Sequence, residues 1–187
     1  MPALSLFLRQ VKSRSIEHRQ AMRLLAQANL AGQMISVLRQ ELDSMIRVIY
    51  LLTQKPIRRT SLIESSVSGE RWRRSGSRSA MTDREMVEIA HELQGWTQSV
   101  YKFGCAFIHL SSLHDYNDRD PLKLLPARER EDLLQHCRHY HGGPSEPDPS
   151  FSDLVPYLPR VLDKIASNLE GYLTELENGK LLTATEA

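Results

Sequence analysis

The chain has too little cysteine to build a disulfide framework: Cys105 and Cys137 are its only two, each within a stretch that reads as helix. That excludes the small secreted scaffolds that depend on such bridges, and a reducing, cytoplasmic setting is expected. Charge of one sign is lacking as well. Lys and Arg number 24 against 23 Asp and Glu, so the net charge of +1 supplies no global field to draw in nucleic acid or an anionic membrane. Any such attraction has to come from local clusters. Long apolar runs are missing too. The N-terminal MPALSLFLRQVKSR carries a short apolar patch with no basic region ahead of it, so neither a signal peptide nor a membrane anchor is expected. Finally, no stretch alternates with the period of two that a half-buried strand shows, and no internal repeat is present. Strands and solenoids are excluded.

What remains is helix. With 41% hydrophobic and 25% charged residues in 187, the composition is that of a folding chain, long enough to bury one core without staples. The expected fold class is all-α: a helical bundle with two long helices, a shorter histidine-bearing helix and a C-terminal amphipathic helix, in a single domain over 1–187. From Ile16 to about Gln54 no proline intervenes, and Met34, Leu38, Leu42, Met45, Ile49 and Leu52 recur at spacings of three and four. One long helix is expected there, bent near Gly32.

The next stretch, 55–80, changes character. KPIRRTSLIESSVSGERWRRSGSRSA is rich in serine, glycine and arginine and lacks sustained periodicity, so it reads as a basic loop or insertion. A second long helix begins at Asp83, where Thr82 and Glu85 spell a capping box, and is expected to run to about His114. Its half from Val100 to Leu113 is apolar nearly all round and reads as the most buried part of the protein. NDRDP ends it. Asp120 then caps a turn at Pro121, and Pro126 suits the first turn of a helix reaching about Tyr140. HGGPSEPDPS is a loop by composition, 152–158 a short helical turn, and the stripe from Val161 to Leu176 a last helix ending at Asn178 and Gly179. The tail LLTATEA is expected to fray.

Five of the seven histidines lie between positions 109 and 141: His109, His114, His136, His139 and His141. Histidine titrates near neutrality, moves protons and binds metal, so such a cluster can mark a site. The same residues also fit a plainer reading as hydrogen-bonded core groups. HCRHYH with Cys137 offers metal-ligand types, but zinc ligands come from two separated elements and no paired spacing supplies the second set. His91 with the His114–Asp115 pair and a distant Asp163 outlines an HD-type metal phosphohydrolase, in which such residues hold a metal that activates water.

A third pattern joins arginine to histidine: Arg130, five residues, then His136, on a late helix ahead of a glycine-containing loop. Together with the helix order over 16–178, this resembles the HEPN family of ribonucleases and toxins, in which arginine, four to six residues and histidine form the motif. A polar residue commonly follows the arginine in that family; here it is Glu131. The resemblance implies a metal-independent endoribonuclease of toxin or phage-defence type, without cofactor. Arg130 would clamp the scissile phosphate and His136 would act as general acid or base, with Arg128, His139, His141, His109 and His114 as supporting contacts. It further implies RNA as substrate, a homodimer that completes the site, and an antitoxin or regulatory protein that restrains it. Guanidinium and imidazole suit those roles, one stabilising phosphoryl oxygens and the other transferring protons.

The segment 55–80 adds a separate clue. Seven cations there oppose only Glu64 and Glu70, and Trp72 sits inside Arg71–Trp72–Arg73–Arg74. Flexible arginines neutralise phosphates and an indole stacks on an unpaired base, which makes these four residues candidates for nucleic-acid binding. The plainer alternative is a solvated insertion. The rival from another class is a noncatalytic helical module that binds nucleic acid or a partner, its histidines structural.

Overall fold

The computed structural model describes residues 2–182. Helix α1 (Ala3–Gln27) and α2 (Ala31–Thr53) fold back on one another through three residues, with Asn29 in the left-handed region at φ 53°. Asparagine tolerates that conformation better than most residues, and it reverses the chain here. The single helix expected over 16–54 is therefore a helical hairpin whose first arm begins at Ala3. Both arms pack on one core, so the apolar stripe runs on across the break and conceals it.

Helix α2 is the centre of the molecule. Leu42, Met45, Ile46, Val48, Ile49, Leu51 and Leu52 are all 0% exposed. Its largest interface is with α9 (Leu158–Glu177), and α1, α4 (Asp83–Gln94) and α5 (Thr97–Ile108) pack around it. The sequence pattern places the greatest burial at 100–113; instead α5 (Thr97–Ile108) buries Phe103 and Phe107 on one side and leaves Ile108 exposed, with Leu110 beyond it exposed too.

Much of the expected loop at 55–80 is helix. Pro56, whose fixed φ suits the first helical turn, starts α3 (Pro56–Val67), and Leu62 and Ile63 turn inward. Buried Arg59 explains the attachment. Its guanidinium donates to the carbonyls of Leu51 at 2.9 Å and Leu52 at 3.1 Å and to Lys180 O at 2.6 Å, serving carbonyls near the end of α2. Only 68–82 is irregular, with an isolated bridge between Arg73 and Ala80.

The Thr82–Glu85 capping box forms and opens α4 (Asp83–Gln94). The helix expected to continue to 114 stops at Gly95, which is left-handed at φ 70°, and α5 restarts after buried Trp96. A 3₁₀ turn (Ser112–Asp115), a single turn α6 (Pro121–Leu124) capped by Asp120, and α7 (Ala127–His141) follow. A short turn α8 (Phe151–Leu154) and a 3₁₀ turn (Val155–Tyr157) lead into α9, which ends at Asn178 before left-handed Gly179. Of the tail 181–187, only 181 and 182 are described, and Leu182 N donates to Leu52 O at 2.9 Å. The all-α helical bundle stands, without strands among the described residues, and no helix is long and apolar enough to cross a membrane.

Candidate functional site

Helix α7 positions most of the candidate residues. Its inner stripe, Leu133, His136, Cys137, Tyr140 and His141, repeats at helical spacing and forms one wall of a pocket of about 760 Å³, counting space open to solvent. Ile35, Leu38 and Arg39 of α2 form the floor. Trp96, Val100 and Phe103 stand on the α5 side, and Tyr157, Val161 and Lys164 on the α9 side. The walls are mostly aliphatic and aromatic carbon.

His136 and His141 are the two imidazoles in that wall, both half-buried. Nδ1 of His136 is buried without a hydrogen-bond partner. Burial holds its pKa below the ordinary histidine value; nearby Asp132 opposes this, while His91 and His139 add to it. His141 is lowered as well, by burial first and then by Lys164 and Arg160. Both rings are therefore neutral at pH 7. Burial pushes the Cys137 thiol up to about 11, only partly offset by Arg138, so it is a protonated wall group and not a nucleophile.

Arg130 lies elsewhere. Six residues along a helix place two side chains about 120° apart around the axis. His136 accordingly lines the pocket and Arg130 does not; Arg130 instead pairs with Asp148 of the loop after α7. Its Nε is buried without a partner. Within this chain the two do not share a cleft. Arg128 and His139 are exposed, the latter set edge-on to Tyr140 with ring centroids 4.6 Å apart.

The histidines of the preceding segment separate from this group. His109 is the exposed C-cap of α5. His114 closes its own turn: Nδ1 accepts from Ser111 N at 3.2 Å, and Nε2 lies 3.2 Å from Phe107 O. One neutral tautomer satisfies both contacts, so His114 fits the hydrogen-bonded core reading. Among the described residues no three or more His, Cys, Asp or Glu side chains gather to hold a metal. His91, His114, Asp115 and Asp163 are thus not assembled as the phosphohydrolase pattern requires.

The basic segment also divides. Trp72 is only 5% exposed, tilted against Tyr50 at 5.7 Å between centroids, with its Nε1 donating to Ser66 Oγ at 2.8 Å. Its indole is a core group and offers no open face for a base. Arg74 pairs with Glu85 at 2.7 Å, and Arg58 donates to Arg73 O. The side chains of Arg71 and Arg73 point to solvent.

Sequence reasoning missed Arg39, Tyr157 and Lys164. Arg39 had a signal, an arginine within the apolar stripe of α2. It is almost wholly buried, 3.8 Å over the Tyr101 ring, with Nε 3.4 Å from Cys105 Sγ and carboxylates of Asp43 and Asp83 at 3.9 and 3.6 Å. Its charge is answered inside the protein. Compared with family models, curated proteins and solved structures, the chain matches none of them.

Proposed function

We propose that this protein is a noncatalytic helical binding module that takes an apolar group into the pocket beneath α7. One observation carries the reading: a pocket is walled mostly by carbon, and the polar groups around it are paired, neutral or, as with Lys164, exposed to solvent. Burying an aliphatic chain there is favourable by roughly 25 cal/mol per Å² of apolar surface. The test is a titration with decanol followed by the emission of Trp96, which lines the pocket. Wild type is expected to saturate, and Val161→Phe, which fills the cavity, to bind about ten-fold more weakly. Absence of saturable binding to wild type would overturn the proposal.

A second reading, the metal-independent ribonuclease, rests on His136. A neutral imidazole with a buried, unpartnered nitrogen can accept a proton, and Arg130 stands on the same helix. In that reading a second copy brings the arginine to the histidine, RNA is the substrate and a regulatory protein restrains the pair. Cleavage of RNA in the presence of a chelator, lost in both His136→Ala and Arg130→Ala, supports it. Folded wild-type protein without nuclease activity removes it.

A further inference from the structure

The mouth of the pocket carries positive charge that the protein does not neutralise. Lys164 lines the pocket, and Arg160 stands one turn before it on the same face of α9. Like charges at this spacing repel by a few tenths of a kcal/mol. Among the described residues no carboxylate pairs with either; Arg160 only donates to His141 O at 3.2 Å and leans towards the Tyr157 ring at 5.7 Å. Both cations lie close enough to His141 to depress its protonation. The other cation of the lining is Arg39 of α2, already held by Asp43 and Asp83. Unanswered charge therefore sits on the α9 side of the lining, and it gives the pocket a direction.

We infer that the ligand is an anionic amphiphile, a single-chain carboxylate whose hydrocarbon body fills the pocket and whose head lies between Lys164, Arg160 and the His141 ring. The inference rests on the binding-module reading and adds to it the chemistry of the occupant. Carbon walls alone select any apolar chain of suitable size. The paired cations add selection, because a carboxylate accepts charge-assisted hydrogen bonds from lysine and arginine at once and removes their mutual repulsion. A neutral head of the same length gains neither.

The experiment compares dodecanoate with dodecanol, each below its aggregation limit, binding to the full-length protein by calorimetry. Wild type and the double variant Lys164→Gln/Arg160→Gln are used; both residues are exposed, and circular dichroism checks that the variant keeps its fold. Dodecanoate is expected to bind wild type about ten-fold more tightly than dodecanol, the low end for hydrogen bonds to charged groups. That advantage is expected to vanish in the double variant, the ratio of the two affinities falling to about one. Equal binding of the two ligands to wild type would overturn the inference and leave the apolar pocket standing. An advantage that survives in the double variant would also overturn it, since the charge would then lie elsewhere. If neither ligand binds, the inference and the binding-module reading fall together.

Discussion

His18 of α1 and Glu41 of α2 meet at 2.6 Å, and the carboxylate is wholly out of solvent. Ser15, one turn before His18, donates to the other carboxylate oxygen. The hairpin is thus closed by a polar contact inside an otherwise apolar seam. Removing one partner of a buried pair strands the other, at a cost of roughly 3–5 kcal/mol. Glu41→Ala leaves two donors unanswered and is expected to lose about 3 kcal/mol in urea denaturation, and Ser15→Ala clearly less. A loss at Glu41 below about 1 kcal/mol would show that water reaches the site.

Trp72 is expected to matter for stability and not for nucleic acid. Its indole packs on Tyr50, lies 5.5 Å from the Arg47 guanidinium and donates to Ser66. Trp72→Ala should cost about 3–5 kcal/mol, in the range of large aromatic truncations. Measured by chemical denaturation, a cost under about 1 kcal/mol would mean that the indole sits outside the core in solution.

The local signals in the sequence were legible where one residue type solves one backbone problem. Thr82 with Glu85, Asp120 before Pro121, and Asn178 with Gly179 mark real helix ends because capping chemistry is local. Periodicity was less informative where two helices share a core, which is why the reversal at Asn29 and the break at Gly95 went unread. Composition misled in α3, where serines and arginines obscured Leu62 and Ile63, and at Trp72, because neighbouring arginines say nothing about which way an indole points. The pairing of Arg130 with His136 rested on spacing and helix order, and within one copy helical geometry turns the two side chains about 120° apart. The pocket was half legible: the α7 stripe lies in the sequence, whereas its walls from α2, α5 and α9 come together only in three dimensions.

Acid should weaken the fold in two separable windows. His136 and His141 have folded-state pKa values below the ordinary 6.5, so below that value the unfolded chain takes up protons that the folded protein resists. Stability is expected to fall as pH drops from about 7 through the histidine range, and His136→Gln should flatten that fall. Glu85 behaves differently. The Arg74 guanidinium, with the Thr82 hydroxyl and amide, holds its carboxyl down to about 2 from an ordinary 4.5. Its contribution is present above the ordinary value and is lost as pH falls towards the lowered one, so Glu85→Gln should be less stable than wild type above about pH 4.5 and converge with it as pH falls towards 2. Melting temperatures of both variants across pH 2–8 check this, and a shared window would contradict it.

Gly104 sets the spacing between α2 and α5. A Cβ there would lie 2.8 Å from Arg39 Cβ and 3.2 Å from its Cγ and Cδ, closer than side chains stand. Arg39 has little room to yield, since its guanidinium is held by Tyr101, Cys105 and the two aspartates. Gly104→Ala must therefore push the helices apart or dislodge Arg39, at about 1–3 kcal/mol, the usual cost of overpacking. Both residues line the pocket, so decanol affinity should fall in the same variant. Gly171 is the internal control. It lies within α9, and a Cβ added there would meet nothing within 4 Å, so Gly171→Ala should raise stability by roughly 0.5–1 kcal/mol through helix propensity alone. Opposite signs for the two glycines, with binding altered only at Gly104, are the expected result; stabilisation by both would show that α2 and α5 are not in close contact.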